Sequence, residues 1–498
     1  MKIVICYPPL RLEKGCPTLG QNRQFQYFKD PTYIYPVVPA QAATLLKNSG
    51  YEVIWLDCLA EEISYETFME TIRSEKPDLI VFETKTPVVK QLWNIINDLK
   101  NLTSENWQLK TILCGDHVTA LPNESFQNCA VDFVLTGGDY DFLLLNLCDF
   151  IKKLEDKNQN VRYEELEAGI YYRQDSQIKN TGVFKLDHDL NMLPFIDRDL
   201  TKWQLYAYKN GNYKRVPGTY LMSGRDCWWG RCTFCSWPLL YPEFRSRKTE
   251  NVLDEVGELI SRYGVREIMD DTGTFPKGEW LRDFCLGMIA RGYHKKIYLD
   301  SNMRFGALSA EDFSLMKKAN FRLLLFGLES ANQQTLDKLQ KNVTVERVIQ
   351  DCMLASRSGL YPHITIMFGY PWEDYTAALK TLRLGRWLLK KGYAYTMQAT
   401  VVIPYPGSPL FQECRQQGWL KTLDWDDYDM KMPIMSSPIP EGKINGLVQG
   451  MYRISFHPEF VLRKLNSVKD IDDFAYVLRA LKKVYGHIFD FAKSRHGN

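Results

Sequence analysis

Twice along this chain, short runs of β-branched and aromatic residues alternate with amphipathic helical stretches. That rhythm restricts the fold more than any other feature. In the first 155 residues the strand candidates are K-I-V-I-C-Y (2–7), E-V-I-W-L (52–56), D-L-I-V-F (78–82), L-K-T-I-L-C (109–114) and V-D-F-V-L-T (131–136), with helical stretches near 37–49, 64–75, 88–100 and 139–153. Five strands alternating with helices predict a parallel, doubly wound sheet of flavodoxin-like size, whose ligands bind beyond the carboxyl ends of the strands. Residues 156–215 are charged and rich in Asn and Tyr, and predict a connector with a hairpin at I-Y-Y-R-Q-D-S-Q-I-K-N-T-G-V-F. A second alternation follows: T-Y-L-M-S (219–223), R-E-I-M-D-D (266–271), K-I-Y-L-D-S-N (296–302), R-L-L-L-F-G-L (322–328), H-I-T-I-M-F-G (363–369) and M-Q-A-T-V-V-I (397–403), with helices between, as at 249–262 and 309–318. Six βα units over 216–420 predict a partial (β/α)6 barrel with its chemistry at the strand C-terminal ends. Residues 421–498 predict a helical C-terminal region, in which Phe474, Val477, Leu478, Leu481, Val484, Tyr485 and Ile488 recur at helical spacing.

The composition narrows the class. With 498 residues, 45% apolar and 24% charged, the chain is globular, and a length of this order predicts about three folding units. A net charge of +2 argues for neither nucleic acid nor an anionic membrane as partner. No apolar run approaches the roughly 18 to 20 residues of a membrane span. The start, M-K-I-V-I-C-Y-P-P-L, reads as a strand broken by Pro-Pro rather than a signal peptide. Of twelve cysteines, nine are scattered singly (Cys6, Cys16, Cys58, Cys114, Cys129, Cys148, Cys285, Cys352, Cys414) and suit core packing in a reducing compartment, the cytoplasm.

The other three cysteines are different. Residues 224–237 read G-R-D-C-W-W-G-R-C-T-F-C-S-W, placing Cys227, Cys232 and Cys235 directly after the first strand of the second alternation. Structural zinc wants four ligands, and the nearest histidines, His188 and His294, are dozens of residues away. A [4Fe–4S] cluster held by three thiolates leaves one iron open for a substrate or cofactor. The spacing favours iron–sulfur, with zinc and incidental packing as alternatives.

Three close cysteines after the first strand of a six-unit barrel resemble the radical S-adenosylmethionine (radical SAM) enzymes. The family spacing is C-x3-C-x2-C; here it is C-x4-C-x2-C, with Gly230 able to absorb the added residue and Phe234 before the last cysteine. Gly327-Leu-Glu329-Ser330 resembles the family's G-x-E-S element, and Gly369-Tyr-Pro371-Trp-Glu373-Asp374 its G-x-P-x-E-[TD] turn. Pro404-Tyr-Pro-Gly407-Ser408 resembles its P-x-P-G-[ST] stretch, and Asp270-Asp271-Thr272 and Asn302-x-Arg304 end two further strands. The resemblance implies that Cys227, Cys232 and Cys235 hold a [4Fe–4S] cluster. It implies SAM contacts from Phe234, Glu329, Ser330, Gly369 and Pro371, with Trp228 and Trp229 shielding the cluster.

The N-terminal half resembles the cobalamin-binding domain of the cobalamin-dependent radical SAM class. The stretch Y-P-V-V-P-A-Q-A-A-T-L-L-K-N-S-G-Y-E-V-I-W-L-D (35–57) is similar to its first helix and second strand. Gly115-Asp-His117-Val-Thr119 is similar to its G-x-P-H-x-T loop, and Thr136-Gly137-Gly138 to the glycine turn that accommodates the nucleotide tail. The implied cobalamin contacts are Pro39, His117, Thr119, Gly137 and Gly138. No histidine precedes residue 117, so the D-x-H-x-x-G ligand of cobalamin mutases is missing and no protein histidine is expected beneath the cobalt.

This resemblance implies a methyltransferase. One SAM would supply a 5′-deoxyadenosyl radical, a second would methylate cobalamin, and the methyl would pass to an unactivated carbon or a phosphinate of a small molecule. Its partners would be that substrate and an electron donor such as flavodoxin or ferredoxin, with no nucleic acid. A radical cyclisation, ring contraction or rearrangement with the same cofactors is the alternative. A tRNA methylthiotransferase would want three N-terminal cluster cysteines and a basic tail, and a metal or cobalamin sensor would need no such barrel.

Overall fold

The computed structural model describes residues 1–10, 14–19, 25, 27–28, 31–155 and 162–490. The first sheet is built from β1 (Lys2–Tyr7), α1 (Val37–Asn48), β2 (Glu52–Asp57), α2 (Tyr65–Glu75), β3 (Leu79–Thr84), α3 (Val89–Lys100), β4 (Lys110–Gly115), α4 (Asp116–Ala120), α5 (Pro122–Asn128), β5 (Phe133–Leu135) and α6 (Tyr140–Glu155). The strand order β2-β1-β3-β4-β5, all parallel, reverses direction between β1 and β3. Such a reversal opens a crevice at the carboxyl ends, where doubly wound sheets take their ligands. Every residue of β3 is buried, as expected of a parallel strand covered on both faces.

The hairpin expected in the connector joins this sheet. Strands β6 (Ile170–Gln174) and β7 (Gln177–Asn180) pair antiparallel beyond β5. Asp175 and Ser176, with φ of +51° and +63°, form the two-residue turn whose twist suits a hairpin.

The second sheet runs β8 (Gly218–Leu221), β9 (Glu267–Asp270), β10 (Tyr298–Met303), β11 (Phe321–Glu329), β12 (Tyr361–Phe368) and β13 (Thr396–Val401), in sequence order and wholly parallel. Helices α7 (Thr249–Ser261), α8 (Glu279–Ala290), α9 (Ala310–Lys318), α10 (Gln333–Lys338), α11 (Val345–Arg357), α12 (Tyr375–Lys391) and α13 (Pro409–Gln416) alternate with the strands. The two sides of β12 are readily told apart. Ile364, Ile366 and Phe368 are fully buried, and a Cβ placed on Gly385 of α12 would meet Ile366 at 2.7 Å, so these side chains pack on the helices. Strand alternation then turns His363, Thr365 and Met367 into the lumen.

Three helices follow: α14 (Glu441–Tyr452), α15 (Pro458–Asn466) and α16 (Ile471–Asp490). The tail is helical, as expected, but in its described part the apolar stripe is not what turns inward. Phe474, Leu478 and Leu481 are exposed, whereas Asp473 and Tyr476 are buried; the side chains of Val484, Tyr485 and Ile488 lie outside the described residues. The reason is electrostatic. The barrel floor presents Lys214 and Arg215, which bind Asp473 at 2.9 and 2.6 Å, and Arg266, which binds Asp472 at 2.6 Å. Burial alone would raise the Asp473 carboxyl, but Lys214 and Arg215 hold it down at about 2. No helix among the described residues is long and apolar enough to cross a membrane. The nine scattered cysteines are all buried, as core packing requires.

Candidate active site

The cysteine loop leaves β8 and lies across the mouth of the barrel. Cys227 Sγ sits 2.9 Å from Thr274 Oγ1, and the Cys235 amide donates to Cys232 O at 3.2 Å. The loop is stitched to two helices, the Thr233 amide donating to Leu339 O at the end of α10 and Thr233 O accepting from the Leu410 amide of α13. The added residue of the C-x4-C gap is accommodated by Gly230, at φ +60°, and by two clasped tryptophans. Trp228 Nε1 donates to Phe275 O and carries the Lys277 ammonium 4.1 Å over its ring; Trp229 Nε1 donates to Gln340 O and carries the Arg304 guanidinium at 3.9 Å. Their evident part is to pin the loop. Each such cation–π contact contributes about 0.5–1 kcal/mol at an exposed site.

Around the thiols stand charges that sequence order alone does not bring together. Glu329 ends β11 at φ +62°, a left-handed conformation costly for a non-glycine residue, where β11 shifts register against β12. Its carboxylate folds over Gly327, where a Cβ would lie 2.1 Å from Glu329 Oε1, which explains the glycine of that motif. Lys341 Nζ donates to Glu329 Oε1 at 3.1 Å and lies 5.8 Å from the Phe234 ring centre. Burial would lower the Lys341 ammonium, but Glu329 and the neighbouring Cys232 hold it above its usual range. Burial pushes the Cys232 and Cys235 thiols up, so a bound metal is what would keep them as thiolates.

Ser330 turns elsewhere. Its hydroxyl donates to Glu373 Oε1 at 2.7 Å, and Thr335 donates to the same oxygen at 2.9 Å, tying the G-x-E-S element to the turn after β12. Gly369, at φ +99°, and Pro371 shape that turn, and Tyr370 between them is fully buried.

The lumen itself is polar, which the sequence reading missed. Asn302, Leu325, His363 and Thr396 share one row across β10 to β13, and Gly327, Thr365 and Gln398 share another; all are partly accessible. His363 Nδ1 lies 2.9 Å from Thr396 Oγ1, while its Nε2 is buried with no partner. Burial pulls this imidazole down to about 4, so it is neutral at physiological pH. Thr400 Oγ1, Tyr370 Oη and Arg304 Nε are likewise buried without a hydrogen bond. Buried polar atoms are normally satisfied, and unpartnered ones along a barrel lumen fit a polar ligand such as SAM or its co-substrate. The three thiols, sensed by one another electrostatically, fit a cluster. Among the described residues no three His, Cys, Asp or Glu side chains converge tightly enough for a single metal ion.

The N-terminal strand ends press directly on the cysteine loop. Arg225, two residues before Cys227, is buried among Asp139 (3.0 Å), Asp141 (2.6 and 2.9 Å) and Gln41 (2.8 Å) of the first domain. Burial would raise the Asp139 carboxyl, but His188, Arg225 and Arg245 hold it well below the usual range. Thr119 Oγ1 joins two loops, donating to Gly115 O and accepting from the Gly137 amide. His117 is fully buried with both nitrogens engaged, Nδ1 by Thr86 and Nε2 by Glu124, and its ring lies edge-on to Trp425. These contacts tie it to the segment after β3, to α5 and to the C-terminal region. Pro39 lines a closed cavity of about 10 Å³ at the β1/β3 reversal. The scaffold therefore fits cobalamin in its strand order, while the crevice beside it is filled. An open cleft of about 460 Å³ between α5 and α13, lined in part by Glu124, Arg415 and Trp425, contains none of the candidate cofactor residues.

Comparison with known proteins agrees with this division. Residues 31–142 match the B12 binding domain and residues 222–384 the Radical SAM superfamily. An uncharacterised methyltransferase of Pyrococcus horikoshii is 25% identical over 461 residues, covering 90% of this chain and 94% of that protein. The anaerobic magnesium-protoporphyrin IX monomethyl ester cyclase of Cereibacter sphaeroides is 25% identical over 426 residues, 83% of this chain and 66% of that one. The structure of the radical SAM methyltransferase TsrM from Kitasatospora setae, with cobalamin and a [4Fe–4S] cluster bound, superposes with a TM-score of 0.69 at 13% identity over 99% of both chains, sharing the fold. A B12 binding domain laid against the cysteine loop of a radical SAM barrel places this chain among the cobalamin-dependent radical SAM enzymes, whose cofactors are a [4Fe–4S] cluster, S-adenosylmethionine and cobalamin.

Proposed function

We propose that this chain transfers a methyl group to an unactivated carbon, or a phosphinate phosphorus, of a small molecule held at the barrel mouth. The observation that carries the reading is the pairing of an open three-cysteine loop with a lumen lined by unsatisfied polar groups, closed on one side by the B12 binding domain. When bound, the cluster and SAM supply radical chemistry and cobalamin supplies methyl transfer. The chain's own work is placement. Cys227, Cys232 and Cys235 ligate; Lys341 and Glu329 offer charges of opposite sign to the amino-acid end and ribose of SAM. Gly369 and Pro371 shape the turn beside them, and the Asn302–His363–Gln398 side of the lumen receives the substrate.

The relative named as a methyltransferase supports this reading. A relative named as a cyclase supports the second one, radical cyclisation or rearrangement with the same cofactors. A low-potential flavodoxin or ferredoxin would deliver the electron, in the cytoplasm. The test is an anaerobic, cluster-loaded preparation given SAM, reductant and substrate. Formation of S-adenosylhomocysteine beside 5′-deoxyadenosine is the expected result; turnover without S-adenosylhomocysteine removes methyl transfer and leaves the cyclase reading. A triple Cys→Ala variant should lose the brown iron–sulfur absorption and both products.

A further inference from the structure

At the β1/β3 reversal, where a doubly wound domain takes its ligand, this chain has built a plug. Glu83 ends β3 inside the protein. Tyr7 Oη donates to Glu83 Oε2 and Tyr140 Oη donates to Glu83 Oε1, the latter at 3.0 Å. All three side chains are buried, walled by Pro39 and Ala42 of α1, Trp55 of β2 and Leu144 of α6. What remains open is about 10 Å³, about the room one water needs, whereas pockets for organic ligands run to about 300–1,000 Å³.

The plug is a satisfied polar unit and not a collapsed void. Each carboxylate oxygen has a phenol donor, and swinging either phenol away would take a hydrogen bond from a buried carboxylate. The alternative route for a nucleotide tail, over the Gly137-Gly138 turn, is also taken. The Phe184 ring lies 2.5 Å from where a Gly137 Cβ would be, and the Tyr241 ring 2.0 Å from that of Gly138. Both backbone groups of Gly138 are used, its amide by Leu240 O and its carbonyl by Tyr241 Oη, each at 3.0 Å.

We propose that this domain holds cobalamin by its corrin ring alone, with the nucleotide arm outside the crevice that Tyr7, Glu83 and Tyr140 close. The proposal rests on the cobalamin assignment above and goes beyond it in assigning these three residues to excluding part of the cofactor.

The experiment is an anaerobic absorbance titration of the full, cluster-loaded chain with hydroxocobalamin and, separately, with aquocobinamide, which has the corrin but no nucleotide arm. The expected dissociation constants agree within about threefold, because the arm contributes no buried contact. Cobalamin binding tighter than cobinamide by a hundredfold or more overturns the plug while leaving the cobalamin assignment intact. Binding of neither overturns both. A Glu83→Ser, Tyr140→Ala variant opens the crevice and should gain a tenfold or greater preference for cobalamin over cobinamide; a folded variant with unchanged selectivity counts against the proposal.

Discussion

At the carboxyl ends of β1 and β3, Glu83 is buried and takes a hydrogen bond from each of two tyrosines. Inside the barrel, His363 Nε2 and Thr400 Oγ1 are buried with no partner at all. Both regions are parallel sheets whose strand ends face the same cysteine loop, yet one has spent its polar groups on itself and the other has kept them available. The difference teaches where small molecules belong. Satisfied groups rigidify and exclude, while unsatisfied ones are tolerated where a ligand completes them. Glu83, Gly138 and Arg225 use the first domain's strand ends to close and dock, whereas in the lumen His363 Nε2 and Thr400 Oγ1 keep no protein partner.

Four measurements would break or sharpen this contrast. Arg225→Ala should have the largest effect. It leaves Asp139 and Asp141 buried beside a vacated guanidinium site and should cost about 3–5 kcal/mol in denaturant unfolding, with loss of bound iron. A variant as stable as the parent would show that the docking face is not the closed, self-satisfied region described. Tyr140→Phe comes next: removing one donor from Glu83 should lower stability by about 1–3 kcal/mol by the same assay.

A pH titration should then show a smaller step. His188 is stacked on Phe142 and bonded to Asp139 and Glu167, which raise it to about 9. Its folded value exceeds the unfolded one, so its contribution is complete below about 6.5 and is lost as pH rises through about 9. Thermal midpoints should therefore fall on the alkaline side, and a His188→Gln variant should lack that step. His363→Phe should be the mildest, costing less than about 1 kcal/mol because no buried partner is stranded beyond Thr396. A cost equal to that of Tyr140→Phe would mean the lumen, too, is structural.

Much of the fold was legible because strand residues announce themselves locally. The β-branched runs at 2–7 and 109–114 sit within one residue of β1 and β4, and the three cysteines stand at the mouth of the barrel they were expected to serve. The hairpin was legible as a hairpin but not as part of the first sheet, since pairing β6 with β5 is decided by tertiary contact. The tail was legible as helix, but not the face it buries. Its apolar period is helical, but the surface it meets is cationic, so Asp473 and Tyr476 turn inward and Phe474 and Leu478 do not. The plug joins Tyr7 to Glu83 and Glu83 to Tyr140 across many intervening residues, and nothing local marks it. His363 could have been found: in H-I-T-I-M-F the polar His and Thr alternate with the helix-facing Ile, Ile and Phe, which is the signature of a lumen face.

The acidic start of α16 has a consequence for traffic. With Asp472 and Asp473 clamped onto Arg266, Lys214 and Arg215, and Tyr476 seated beside Arg322, the lower rim of the barrel is corked by the chain's own C-terminal helix. A molecule arriving from that side would have to prise these ion pairs apart, which leaves the opposite rim, where the first domain leans over the cysteines, as the easier approach.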